Sequence, residues 1–138
     1  MNEFYLSASP EAGKAFYQAF SGKGPIVMLN LMRFREVANY QGVEHLQPEN
    51  PISGQEAYEA YMEHTVPHLL EAGSEVLFNG QGGDYLIGPL GQGWDRVLLV
   101  RHQSVEKFMA FAQNPDYLHT AGHRTAALED SRLLPMLP

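Results

Sequence analysis

The chain has 138 residues, a formal net charge of −7 and no cysteine. That length suits one domain that buries about two-thirds of its unfolded surface. The lack of cysteine excludes disulfides, thiolate nucleophiles and sulfur-ligated zinc. No Lys or Arg occurs between residues 36 and 95, so we expect no nucleic-acid partner. No apolar run approaches the roughly 18 residues of a membrane span, and no secretory signal is visible, so we expect a soluble, cytoplasmic protein without a membrane partner.

The first half of the chain predicts a helix, a strand, a long loop and a second helix. Ser9, followed by proline, is a favourable N-cap for a first helix. The apolar run 26–33 has the length of a buried strand, and residues 35–52 lack a clear period and form a long loop. Ser53 and Glu56 have the spacing of a capping box, in which each side chain satisfies a free backbone N–H at a helix start.

The second half predicts strands and a further helical region. Its expected elements are strand 75–78, a glycine-rich hairpin 80–93 with a possible short strand at 85–87, strand 94–102, a helix capped by Ser104 and broken at Asn114-Pro115, a second helical segment reaching Leu128, and a short strand at 133–134. Apart from the first helix the order is βαββαβ. That order predicts an α+β, ferredoxin-like fold, with a four-stranded antiparallel sheet and helices on one face. We expect a single domain, with residues 1–24 as an N-terminal helical extension and residues 25–134 as the core.

Several short motifs resemble those of one bacterial family. They are Met28-Leu29-Asn30-Leu31 with Arg33-Phe34, Ser53-Gly54 with Tyr58 and Tyr61, Ile87-Gly88-Pro89, Trp94-Asp95-Arg96, Asn114-Pro115-Asp116-Tyr117, His123-Arg124, and the stretch 128–133. In this order they resemble the domain of unknown function 1330 family, within the dimeric α/β-barrel superfamily. The chain departs from the family pattern at His102-Gln103, where relatives often have Tyr-Pro.

The resemblance implies a homodimer whose two sheets pack face to face. It implies no activity, because none is assigned to the family. Distant members of the superfamily include cofactor-free monooxygenases, haem-handling enzymes and isomerases, so a function cannot be transferred from the fold.

In the predicted fold, polar residues from several elements meet at one end of the sheet and border a single cleft. The predicted ligand-binding residues are Asn30, Arg33, Ser53, Trp94, Arg96, Tyr117 and Arg124, and the predicted proton-transfer residues are Tyr58, Asp95 and His123. Asp130 and Arg132 begin the last strand at the same end. The alternative interpretation is a structural ion-pair network in which Arg124 contacts Asp95 or Asp130, because such networks resemble active sites.

Two histidine pairs have a spacing that suits a metal. His64 and His68 are four residues apart, as are His119 and His123. The predicted antiparallel helices place the two pairs at opposite ends of the domain, and helical angles direct the second pair away from the core. We therefore expect neither a metal nor another cofactor.

Three classes of function remain open. The first is a cofactor-independent enzyme acting on a small carboxylate- or carbonyl-bearing, partly aromatic metabolite. The second is a module that binds such an anionic or aromatic metabolite without chemistry, and the third is a subunit that contributes only its dimer surface. A cavity with a titratable group of shifted pKa would favour the enzyme, and a cavity without one would favour binding.

Overall fold

A computed structural model describes residues 3–138. The elements in chain order are α1 (Pro10–Phe20), β1 (Ile26–Phe34), a 3₁₀ turn (Glu44–Leu46), α2 (Gly54–Glu71), β2 (Glu75–Gln81), β3 (Arg96–His102), α3 (Val105–Ala112), α4 (Pro115–Thr120), α5 (Gly122–Ala127) and β4 (Leu128–Met136). No helix among residues 3–138 is long and apolar enough to cross a membrane.

The four strands form one antiparallel sheet in the order β2-β3-β1-β4. Leu29 of β1 lies opposite Leu99 of β3 and Leu134 of β4. The order and the directions are those of the ferredoxin-like fold, which confirms the predicted class.

The sheet has one covered face and one face without a helix. Met32, Leu98 and Val100 lie on the covered face and belong to a buried core with Tyr58 and Met62 of α2. Because successive strand residues point to opposite faces and opposed partners share a face, a second set of apolar residues lies on the other side of the sheet. This open face comprises Val27, Leu29, Leu31, Phe78, Val97, Leu99 and Leu134.

The additional N-terminal helix is present. The Ser9 side chain accepts a hydrogen bond from the Ala12 N–H and Pro10 occupies the first turn, as predicted. Phe16 and Phe20 then pack beside a small buried cluster that includes Ile26. The helix thus covers the end of the core at which β1 begins.

The helical region after β3 differs from the prediction. One helix with a single break was expected. The chain instead forms three short helices, with a second break at Ala121, between α4 and α5. The last strand was predicted at 133–134 but extends from Leu128 to Met136, and residues 85–87 form no strand. The two differences in the strands follow from long-range pairing. Backbone hydrogen bonds to β1 extend β4, whereas no strand of residues 3–138 pairs with residues 85–87.

His102 ends β3 at the edge of the core and is 3% exposed. Its Nδ1 lies 2.8 Å from the Ser74 hydroxyl, and its ring packs edge-on against Phe108 with 4.9 Å between centroids. Burial lowers the pKa of His102 to about 4, so the imidazole is neutral near pH 7.

Candidate functional site

Neighbouring strand residues separate the predicted cleft into two cavities. At the end of β1, Arg33 lies on the open-face side and Phe34 on the helix side. Just before β3, Trp94 lies on the open-face side and Asp95 on the helix side. The expectation of a single cleft was therefore wrong, because consecutive residues of a strand point to opposite faces of a sheet.

The larger cavity lies at the end of the open face and has a volume of about 630 Å³. We call it the open-face cavity. The residues that define its chemistry are Tyr5, Leu31, Arg33, Trp94, Asp130 and Arg132. It combines aromatic rings with two guanidinium groups and three carboxylates, those of Glu3, Glu129 and Asp130. The guanidinium groups are the part of this lining that could bind a small planar anion.

Trp94 is the centre of this cavity wall. The guanidinium carbon of Arg33 lies 4.6 Å from the indole centroid and that of Arg132 lies 5.2 Å from it. Arg132 also lies over Tyr5, at 4.8 Å from the ring centroid. The indole N–H donates to the Tyr85 hydroxyl at 2.6 Å. Cation–π contacts and this hydrogen bond fix the orientation of the ring.

Asp130 links the two arginines. Its carboxylate is buried and lies 2.6 Å from Nη1 of Arg132 and 3.5 Å from Nη1 of Arg33. It also accepts hydrogen bonds from the N–H groups of Tyr5 and Ser131. Burial opposes ionisation, but these hydrogen bonds and the charge of Arg132 outweigh it and hold the pKa of Asp130 below its usual value. One carboxylate thus remains ionised between two cations.

The two arginines differ in their remaining hydrogen-bonding capacity. Arg33 donates through Nε and Nη2 to the Gly93 carbonyl and through Nη1 to Asp130. Arg132 uses only Nη1, which donates to Asp130 and to the Ser131 carbonyl. Among residues 3–138, its Nε and Nη2 have no acceptor. Arg132 therefore retains donors for a ligand.

The second cavity, of about 390 Å³, lies on the helix side of the same strand ends. We call it the helix-side cavity, and it is bordered by Ser53, Asp95 and Arg96 among others. Each of these three residues already has an intramolecular hydrogen bond. Ser53 forms the predicted capping box, Asp95 accepts the Phe34 N–H at 2.8 Å, and Arg96 donates to Asn79 at 2.7 Å.

Buried tyrosines occupy the core next to the helix-side cavity. Tyr58 is almost fully buried, and the guanidinium carbon of Arg96 lies 5.9 Å from the centroid of its ring. The hydroxyls of Tyr61 and Tyr117 are 2.8 Å apart. Burial raises the pKa of both Tyr58 and Tyr117, so their hydroxyls remain protonated. The Asn30 amide donates to the Leu98 and Met28 carbonyls and supports the sheet.

The histidine positions correct a second expectation. His64 and His123 stack with parallel rings and 5.7 Å between centroids, although their pairs were predicted at opposite ends of the domain. His123 is buried, with its Nδ1 2.8 Å from the Tyr40 hydroxyl. The break at Ala121 changes the helical phase and turns His123 inward. The pKa of His123 is lowered, mainly by burial and to a smaller extent by the nearby His64 and His45.

The histidine rings come together in pairs. Within residues 3–138, no group of three or more His, Asp or Glu side chains is arranged to hold a metal ion. His45 and His119 lie close, with 5.3 Å between centroids, but Nε2 of His45 is directed to the His119 carbonyl.

Arg124 does not contact either carboxylate that was predicted for it. Its guanidinium donates to the Leu6 carbonyl at 2.7 Å and to the Ser131 hydroxyl at 3.2 Å. Arg124 has these acceptors instead of Asp95 or Asp130 because the N-terminal segment passes beside β4. The Ser131 hydroxyl donates to the Tyr5 carbonyl of the same segment. Arg124 thus fastens this segment to the sheet.

Three aromatic residues of the open-face cavity, Phe4, Tyr5 and Tyr85, were absent from the predicted site. Tyr5 precedes the first helix in a segment without periodicity, and Tyr85 lies in the glycine-rich connection between β2 and β3. The position of Tyr5 depends on Asp130, which is far away along the chain, and that of Tyr85 on Trp94, at the other end of the same connection. The one available signal was an aromatic side chain in each of two irregular segments.

The fold and these motifs define a ferredoxin-like α+β protein of a known family. A model of the domain of unknown function 1330 (DUF1330) matches residues 49–135. The chain belongs to this family, which confirms the resemblance.

The chain is also similar to solved structures. A crystal structure of the RPA0582 protein of Rhodopseudomonas palustris, described as a protein of unknown function, is 34% identical with a TM-score of 0.84, covering 99% of this chain and 98% of that one. A structure of the methylated RPA0582 protein gives 35% identity and a TM-score of 0.85, with 98% and 95% covered. An uncharacterised NIPSNAP domain protein of Burkholderia xenovorans shares the fold alone, at 11% identity and a TM-score of 0.50 over 82% of this chain and 93% of that one. No curated protein matches the chain significantly.

Proposed function

We propose that this protein is a homodimer that binds a small anionic, partly aromatic metabolite in the open-face cavity. The observation that carries this proposal is the arrangement of Arg33 and Arg132 around Trp94, in which Arg132 keeps unused donors. A planar ring would stack in this aromatic cavity, and its carboxylate would accept from Nε and Nη2 of Arg132.

The charges of the cavity are mixed. Its lining holds two cations, Arg33 and Arg132, and three carboxylates, those of Glu3, Glu129 and Asp130. The carboxylate of Glu3 accepts a hydrogen bond from the Tyr5 hydroxyl, and Glu129 is exposed to solvent, where its charge is screened. Support for an anion is therefore local, at Nε and Nη2 of Arg132, which have no acceptor among residues 3–138.

The open-face cavity does contain a titratable group of shifted pKa, Asp130, but the direction of the shift does not suit acid–base chemistry near neutral pH. A general base at neutral pH needs a pKa near 7, whereas the pKa of Asp130 is lowered below its ordinary value and no histidine borders the cavity. The predicted proton-transfer residues Tyr58, Asp95 and His123 do not border it either. We therefore infer a ligand-binding module in preference to an enzyme.

The open face supports the homodimer. Phe78 and Leu134 are each more than half exposed on a sheet face that no helix of residues 3–138 covers. A contiguous apolar surface of this kind marks a protein contact, and an isologous dimer of two such faces would cover it. Light scattering after gel filtration should give twice the 15.4 kDa chain mass, and a monomer at micromolar concentration would refute the dimer.

Ligand binding is tested with benzoate as the probe, in isothermal titration calorimetry on the wild type and Arg132→Gln. Loss of a charge-assisted, two-point contact should weaken binding by roughly tenfold or more. Lys107→Gln is the matched control, because it removes the same charge from an exposed position on α3. Absence of saturable binding by the wild type, or equal affinities for wild type and Arg132→Gln, would contradict the proposed site.

A further inference from the structure

The connection between β2 and β3 carries an unusually exposed apolar surface. Leu86, Ile87 and Leu90 are 99%, 92% and 88% exposed, respectively. We call residues 84–92 the arm. Three large aliphatic side chains in five residues, all directed into solvent, form a concentrated patch that marks a contact site.

The base of the arm is held in a fixed position. The Gly82 N–H donates to the Asp95 carbonyl at 3.0 Å, and the Trp94 N–H donates to the Gly83 carbonyl at 3.2 Å. A Cβ at Gly93 would lie 2.2 Å from the Gly83 carbonyl oxygen, so the two sides of the base approach as closely as glycine allows. These contacts fix the base from which the exposed apolar residues project.

The arm is continuous with both the open face and the proposed ligand site. Tyr85, Pro89 and Gln92 form one wall of the open-face cavity, whose floor includes Leu31 of the sheet. The bond from Trp94 to the Tyr85 hydroxyl joins this wall to the guanidinium stack. The exposed tip of the arm and the wall of the cavity are thus parts of one short segment.

We infer that the arm of each subunit docks on a second copy of this chain and that this contact fixes the wall of the open-face cavity. The inference rests on the proposed homodimer and on the proposed ligand site. Its first support is continuity, because the arm extends the same apolar surface that the dimer would bury. In the dimer the arm tip and the open face leave water together.

The charge of the arm favours a protein partner over a lipid surface. Residues 84–92 contain no Lys or Arg, and their one charged residue is Asp84. Peripheral attachment to anionic membranes uses basic residues around the apolar side chains. The arm has no such basic residues, whereas docking on the apolar open face of a second copy requires none.

The contact couples dimer formation to ligand binding. Within residues 3–138 of one subunit, hydrogen bonds hold the cavity wall at the arm's base and at Tyr85. In the dimer the tip is also held, so the wall is preorganised and less order must be imposed when a ligand binds. By linkage, a ligand in the open-face cavity then tightens the dimer by the same factor by which the dimer tightens ligand binding.

The test compares two triple substitutions that remove equal numbers of exposed apolar side chains. The arm variant changes Leu86, Ile87 and Leu90 to Ser. The control variant changes three exposed apolar residues of other surfaces to Ser, namely Val37, Leu70 and Leu118. Because all six side chains are exposed, both variants should fold, as circular dichroism will verify.

Dimer dissociation constants come from analytical ultracentrifugation, and benzoate affinity is measured at protein concentrations above and below them. We expect the arm variant to weaken the dimer at least tenfold and to lower benzoate affinity, and the control variant to match the wild type. A wild-type dimer that the arm variant leaves unchanged would overturn the inference alone, whereas a monomeric wild type would refute the homodimer itself. A weakened dimer with unchanged benzoate affinity would disprove the coupling, and a wild type without benzoate binding would instead refute the ligand site.

Discussion

The buried His102 predicts a specific loss of stability in mild acid. Burial holds the pKa of its imidazole at about 4 in the folded protein, compared with about 6.5 in an unfolded chain. Since the folded pKa is the lower one, the unfolded state takes up the proton first. The stabilising contribution is therefore complete above pH 6.5, declines as the pH falls towards 4, and is lost below that value.

The magnitude follows from the difference between the two pKa values. Each pH unit in this window costs about 1.4 kcal/mol per group, which gives up to about 3 kcal/mol for His102 alone. The pKa of His123 is lowered as well, so it adds a loss of the same sign. The pKa of Asp130 is lowered from 3.8, so the loss from this carboxylate begins at a lower pH and can be separated.

The assay is urea denaturation followed by far-UV circular dichroism at several pH values between 4 and 7.5. His102→Leu should flatten the dependence of the unfolding free energy on pH by about one proton, even though it also lowers stability at neutral pH by leaving the Ser74 hydroxyl without its partner. His119→Gln is the control, because His119 is exposed. Parallel curves for the wild type and His102→Leu would refute the assignment.

Two further substitutions test the anchoring of the N-terminal segment and the packing of the second helix. Arg124→Ala should destabilise the fold by about 1–3 kcal/mol in urea denaturation, because it removes the donors to Leu6 and Ser131, and wild-type stability would contradict this anchoring role. Gly54→Ala should cost roughly 3 kcal/mol in urea denaturation, because the new Cβ would lie 2.2 Å from the Arg35 carbonyl oxygen, and wild-type stability would disprove this close contact.

The parts of the fold that sequence predicts well have local causes. The capping box of Ser53 and Glu56 begins α2 where expected, and the apolar run after Pro25 forms β1. These signals lie within a few residues of the structure that they determine. The βαββαβ order then restricts the topology to few alternatives, and the ferredoxin-like arrangement is among them.

The arrangement of the site was predicted less well, for two physical reasons. Arg33 and Trp94 were assigned to the same cleft as their neighbours, although the alternation along a strand separates adjacent side chains. His123 turned inward because a second helix break changed its phase, and Gly122 was a weak sign of that break. Helical angles counted across a break carry no information about direction.

The N-terminal segment shows what local sequence cannot reveal. Tyr5 reaches the cavity because its N–H donates to Asp130, which is 125 residues away along the chain. Such a contact has no period and no turn motif in its own neighbourhood. It becomes visible only when the strand β4 and its buried carboxylate are in place.

Trp94 gives the protein an intrinsic optical reporter at one defined place. The chain contains a single tryptophan. Its indole lies in the cavity wall, in contact with the guanidinium groups of Arg33 and Arg132. When the protein is excited at the long-wavelength edge of its absorption spectrum, where tyrosine does not absorb, all of the fluorescence originates from this wall. The emission wavelength reports the polarity around one ring, and its anisotropy reports the mobility of that ring. A ligand that alters the surroundings of this ring can thus be followed without a label, in a signal to which no other part of the chain contributes.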